Sequence, residues 1–136
     1  MKTFKEKVAV ITGAGSGMGR YLAVLLAKDG ADVCICDVNQ ETLDETAEML
    51  RKYNVSVSSH LLDVSDKESI ESLPQKVIDH HGKIDLVFNN AGVTTGSHFK
   101  DMEEENWNWV MGINFDGVIN STRAFIPHMI DRPEAA

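Results

Sequence analysis

Read for apolar and polar positions, the chain alternates short β-branched runs with stretches of helical spacing. Val8 to Ile11 is the first run, and it breaks into a glycine-rich turn. Met18, Leu22, Leu25 and Leu26 then recur at the spacing of one helix face, and Lys28-Asp29-Gly30 supplies a stop, with Gly30 suited to the left-handed position after a helix. Ala31 to Cys36 reads as a second buried strand. Asn39 is placed to cap a helix carrying Leu43, Ala47 and Leu50 on one face. Val55 to Leu62 reads as a third strand. Ser65-Asp66-Lys67-Glu68 has capping-box spacing and predicts a helix through Ile70, Leu73, Val77 and Ile78. Pro74 falls inside it, where its ring crowds the carbonyl four residues back, so a kink or a restart is expected. Ile84 to Phe88 is a fourth short strand, Thr94 to Ser97 a loop, and Glu103 to Met129 a long helix. Its apolar positions are Trp107, Val110, Met111, Val118, Phe125 and Ile126.

Strands alternating with helices imply right-handed crossovers and a parallel sheet. The pattern predicts one α/β domain over residues 1–136, a doubly wound parallel sheet of strand order 3-2-1-4. Ligands of such sheets sit beyond the C-terminal strand ends, near the switch between strands 1 and 4. Thr12, Asp37, Asp63 and Asn89 end the four strands there.

The turn after strand 1 carries the most chemistry. A helix N-terminus presents N–H groups without intrahelical partners, and glycines let an anion approach the backbone. G-x-G-x-x-G fails because Met18 stands where its last glycine belongs, and no Gly-Lys-Ser/Thr follows to make a P-loop. T-G-x-x-x-G-x-G fits, on Thr12, Gly13, Gly17 and Gly19. Asp37, at the end of strand 2, lies at the distance expected of a carboxylate that binds an adenosine ribose. It would repel a 2′-phosphate and has no Arg beside it in sequence, which favours NAD over NADP.

The T-G-x-x-x-G-x-G loop together with Asn89-Asn90-Ala91-Gly92 resembles the short-chain dehydrogenase/reductase family, over Val8 to about Met129. The resemblance implies a Rossmann-like fold and NAD-dependent hydride transfer between an alcohol and a carbonyl. It assigns cofactor contacts to Gly13, Ser16, Gly17 and Met18 in the loop, Asp37 at the ribose, Asp63 and Val64 at the adenine, and Asn90, Ala91 and Gly92 near the nicotinamide ribose. Asn114 matches the helix Asn of the family's Asn-Ser-Tyr-Lys tetrad, which links its Lys to solvent. The two tyrosines, Tyr21 and Tyr53, are followed four residues later by Leu25 and Val57, so no Tyr-x-x-x-Lys is present. The expectation is a chain truncated after the fourth strand and long helix, inactive alone, with strand 4 a bare apolar edge prone to self-association. The alternatives from other classes are a non-catalytic NAD-binding module and an interaction fragment.

Charge and the remaining residues narrow the picture. A formal net charge of -8 argues against a nucleic-acid partner, and no apolar run near the start has the length of a signal peptide core or membrane span. A cytoplasmic chain is expected. Cys34 and Cys36 share one face of a strand and read as buried free thiols. The five histidines His60, His80, His81, His98 and His128 lack metal-ligand spacing and read as surface or partly buried, so no metal is expected.

Overall fold

The computed structural model describes residues 3–136. Four parallel strands, β1 (Val8–Thr12), β2 (Asp32–Asp37), β3 (Val57–Leu61) and β4 (Leu86–Phe88), form one sheet of order β3-β2-β1-β4. The helices α1 (Gly17–Lys28), α2 (Gln40–Leu50) and α3 (Lys67–His81) make the crossovers, and α4 (Glu104–Met111) and α5 (Gly117–Phe125) follow β4. Successive strand residues divide between two layers, as the pleat requires. Ala9, Ile11, Val33 and Ile35 pack with α1 and α2, while Val8, Val10, Cys34 and Cys36 pack with α3 and Phe125 of α5. Both faces of β1 and β2 are therefore covered, which is why those strands are apolar throughout rather than alternating.

The helix ends follow local chemistry. Asn39 accepts the Thr42 amide hydrogen bond at 3.1 Å, the expected cap of α2, and Gly30 takes φ +91 after α1. Asp66 rather than Ser65 caps α3, accepting from the amides of Glu68 at 3.1 Å and Ser69 at 3.4 Å. Ser65 is otherwise engaged, since its amide and hydroxyl both donate to Asp63 Oδ1. α3 continues through a buried Pro74 to His81, so the helix does not restart there.

Two helix faces differ from expectation. In α1 the buried residues are Gly19, Ala23, Leu26 and Ala27, while Met18 is 82% and Leu25 44% exposed. Small residues let this helix approach the sheet closely, with Leu26 packed beside them, while Met18 and Leu25 turn outward. The long helix is interrupted by a π-turn over Gly112–Asp116, which shifts the phase of everything after it. Its buried positions are Gly117, Ser121 and Phe125, four residues apart, whereas Trp107, Val118 and Ile126 are exposed and Val110 and Met111 only partly covered. A Cβ on Gly117 would lie 2.6 Å from Val64 Cγ2, so this helix is seated against the loop after β3.

The edge of β4 is not bare. The Ala136 amide donates to the Asp85 carbonyl and the Val87 amide to the Ala136 carbonyl, each at 2.9 Å. The buried carboxylate of Asp85 holds this return in place. It accepts from Arg132 at 2.7 Å and from the Val8 amide at 2.9 Å, and Lys83 lies 3.4 Å away. Burial alone would raise the Asp85 carboxyl, but the hydrogen bonds from Arg132 and Val8 and the charges of Lys83 and Arg132 hold it below the usual carboxylate range. Among the described residues no helix is long and apolar enough to cross a membrane, and no cluster of three or more His, Cys, Asp or Glu is arranged to hold a metal ion.

Candidate functional site

The C-terminal ends of β1, β2 and β4 and the segment after β3 surround an open cleft of about 330 Å³. Gly13, Ser16, Gly17 and Met18 line it from the turn after β1, and Asp37 from the end of β2. Asp63 and Val64 line it from the segment after β3, and Asn90, Ala91 and Gly92 from the segment after β4. All ten residues expected to contact a cofactor thus meet in one place. Val38, Leu62, Val93 and Ile113 complete the wall, and sequence reasoning missed them. These are plain apolar residues; only their positions next to strand ends, to Gly92 or to Asn114 could have pointed to them.

The turn is fixed by contacts that leave no room for side chains. At Gly13, with φ +67, a Cβ would meet Ala91 Cα at 2.7 Å, and at Gly19 it would stand 2.3 Å from the Gly13 carbonyl oxygen. At Gly17, φ is +53 and nothing lies within 4 Å of where a Cβ would be, so this point of the turn opens to the cleft. Ser16 precedes α1 without making a side-chain cap, unlike Asn39 at α2 or Asp66 at α3. No side chain of its own cap therefore satisfies the first-turn amides of α1.

Asn90 joins β4 to the turn. Its side-chain amide donates to the carbonyls of Thr12 at 3.0 Å and Gly13 at 3.1 Å. The Thr12 hydroxyl oxygen in turn accepts the Asn90 and Ala91 amides, both at 3.1 Å. Asn89 instead donates to Thr122 of α5 at 3.2 Å. Asp37 accepts the Gly15 amide on Oδ2 at 2.8 Å and the Asn39 amide on Oδ1 at 3.1 Å, and each carboxylate oxygen keeps further acceptor capacity.

Asn114 does not line the cleft. It sits in the π-turn, where its side chain accepts the Val93 amide and donates to the Val93 carbonyl, both at 2.8 Å. This two-way bond fixes the backbone of a cleft-lining residue. An Asn mid-helix was legible as unusual, but its partner was not.

Away from the cleft, Cys34 and Cys36 are buried and free. The Cys34 thiol's hydrogen bond and burial hold the Cys36 thiol well above its ordinary value. The half-buried His81 lies with Nε2 2.8 Å from Ser58 Oγ, and burial, seconded by neighbouring His80, lowers its pKa to about 4.

Comparison with known proteins agrees with this geometry. The sequence profile of the family described as short chain dehydrogenase matches residues 7–136. A 3-oxoacyl-(acyl-carrier-protein) reductase, FabG, of Thermotoga maritima is 37% identical over 124 residues, covering 91% of this chain and 50% of the relative. The crystal structure of a short chain dehydrogenase/reductase from Burkholderia phymatum in complex with NAD superposes with TM-score 0.90 at 39% identity, covering 95% of this chain and 46% of that one. The structure of an NAD+-bound xylitol dehydrogenase gives TM-score 0.90 at 32% identity over 95% of this chain and 50% of that one. The chain spans about half the length of these relatives.

Proposed function

Because this chain belongs to the short chain dehydrogenase family, we propose that it forms the dinucleotide-binding part of an oxidoreductase that uses NAD and acts on an alcohol or carbonyl. The observation that carries this reading is the uncapped, open glycine turn beside Asp37. Backbone amides at Ser16 to Met18 suit a diphosphate, since they offer donors without a bulky neighbour at Gly17. Asp37, with lone pairs to spare, suits two ribose hydroxyls and repels a 2′-phosphate. Asp63 and Val64 suit an adenine edge at the far side of the cleft, and Asn90, Ala91 and Gly92 suit the nicotinamide ribose. When bound, NAD supplies the hydride donor or acceptor. In this proposal Asn114 belongs to the catalytic end of the site and acts by holding Val93.

The half-buried and exposed apolar side chains of the long helix, among them Trp107, Phe115 and Ile119, support self-association through that helix. Two buried free thiols suit the reducing cytoplasm.

Fluorescence titration with NADH and NADPH tests the reading. NADH is expected to bind the more tightly, and Asp37→Ala to weaken NADH roughly tenfold while erasing the preference. Folded protein that takes up neither nucleotide, or both equally, overturns it.

A further inference from the structure

The fingerprint T-G-x-x-x-G-x-G leaves position 15 open, yet Gly15 is held on every side. Its amide donates to Asp37 Oδ2 at 2.8 Å and its carbonyl accepts from Arg20 Nη2 at 2.5 Å. A Cβ there would lie 2.6 Å from Thr42 Oγ1 and 2.8 Å from the Asp37 carboxyl. The same Arg20 nitrogen reaches the Thr42 carbonyl at 3.1 Å and Glu45 at 2.8 Å, and its Nε donates to Thr46 Oγ1 at 2.9 Å. Thr46 is fully buried, and its hydroxyl reaches the Ala14 carbonyl at 2.9 Å.

These bonds have a geometric consequence. The carbonyl and the following N–H of one peptide unit point in opposite directions. The Ala14–Gly15 unit is held at both ends, by Thr46 on its oxygen and Asp37 on its nitrogen. In the Gly15–Ser16 unit Arg20 draws the oxygen toward α2, which turns the Ser16 N–H away from α2. A planar guanidinium serves several acceptors at once in a fixed fork, which an ammonium cannot reproduce.

We propose that Arg20 and Thr46 are positioning residues for nucleotide selection: they lock two consecutive peptide units of the glycine turn and, through the Gly15 amide, set the Asp37 carboxylate. The inference rests on the dinucleotide reading above and deepens it. Neither residue touches the cleft, so their effect passes through Gly15 and Asp37.

The test is titration of the full chain with NADH and with NADPH, with melting followed by circular dichroism. Arg20→Lys is expected to weaken NADH about tenfold and NADPH no more than about threefold, narrowing the preference. Thr46→Val is expected to do the same to a lesser degree, and Thr46→Ser to restore wild-type binding. Combined with Asp37→Asn, Arg20→Lys is expected to add less than about twofold to the NADH loss of Asp37→Asn alone, because coupled residues are not additive. Equal losses for both nucleotides, multiplicative losses in the double variant, or variants binding within twofold of wild type overturn the clamp while leaving NAD binding intact. A wild-type chain that binds neither nucleotide overturns both proposals. If Arg20→Lys fails to fold, the Thr46 pair decides.

Discussion

At the C-terminal end of β1, where the cleft opens, the turn passes so close to its own backbone and to the segment after β4 that only glycine fits at Gly13 and Gly19. At the opposite end of the sheet, where β1 and the three-residue β4 begin, the chain is held by side-chain charge. There a single buried carboxylate, Asp85, ties the start of β1 to Arg132 and to the returning chain. The cleft end of the sheet is fixed by steric closeness and the opposite end by an ion pair. The first kind of contact tolerates no added atom, and the second tolerates no lost charge.

Removing the charge gives the largest expected effect. Asp85→Ala leaves the Val8 amide and Arg132 without their acceptor and is expected to cost about 3 kcal/mol of unfolding free energy, moderated by the partial exposure of Arg132. Chemical denaturation measures it, and a loss below about 0.5 kcal/mol would show that β4 is held by packing alone. Since the Asp85 carboxyl is held below its ordinary value, its contribution is present above the unfolded-state pKa and lost as pH falls through the lowered one.

Adding an atom comes next. Gly19→Ala puts a methyl 2.3 Å from the Gly13 carbonyl oxygen and 2.5 Å from Asn90 Nδ2. It is expected to cost about 2 kcal/mol and to abolish NADH uptake, because the turn must shift to admit the methyl. Gly96→Ala, where nothing lies within 4 Å, is the control and should change neither quantity. Equal behaviour of the two variants would sink the steric account of the glycine turn.

The same contrast explains what could be read from the chain beforehand. Strand order, the caps at Asn39 and Gly30, and every cleft-lining residue of the fingerprint were legible, because strand patterning and turn chemistry are local. The burial of α1 and α5 was legible only in part, at Leu26 and Phe125. Large apolar side chains mark a helix face when the helix stands off its partner, but α1 lies close through Gly19, Ala23 and Ala27, and its Met18 and Leu25 face out. In the long helix the π-turn at Gly112–Asp116 breaks the 3.6-residue period on which the reading depended. Asp85 with Arg132, and Arg20 with Thr42 and Thr46, join positions more than twenty residues apart, which no local pattern reports.

A smaller effect should separate β3 from both ends of β1. His81 stays neutral in the fold, with a pKa lowered to about 4 by burial and by His80, while Asp32 pulls it up and His60 down. In the unfolded chain it takes up a proton near its ordinary 6.5. Stability is therefore full above pH 6.5 and falls as pH drops toward 4, since the unfolded state then binds the extra proton. Because His81 is only half-buried, solvent screening reduces the loss to about 1 kcal/mol. Denaturation of His81→Gln between pH 4 and 7 should show a flatter acid limb than wild type. An unchanged slope would assign that limb to carboxylates such as Asp85.

The smallest change in stability is expected on the outer surface of the long helix, where Phe115 is 55% and Ile119 39% exposed. A charge placed there meets solvent rather than a packed partner, so Ile119→Asp should alter unfolding free energy by no more than about 0.5 kcal/mol. If the exposed residues join two copies, the same substitution buries an unpaired carboxylate in the interface and weakens association by about tenfold or more. Sedimentation velocity across a concentration series distinguishes the cases. A wild-type chain that stays monomeric at every concentration would leave the apolar surface as a feature of the lone subunit. A concentration-dependent wild type alongside a monomeric Ile119→Asp would assign that surface to subunit contact, leaving the glycine turn and the Asp85 ion pair undisturbed.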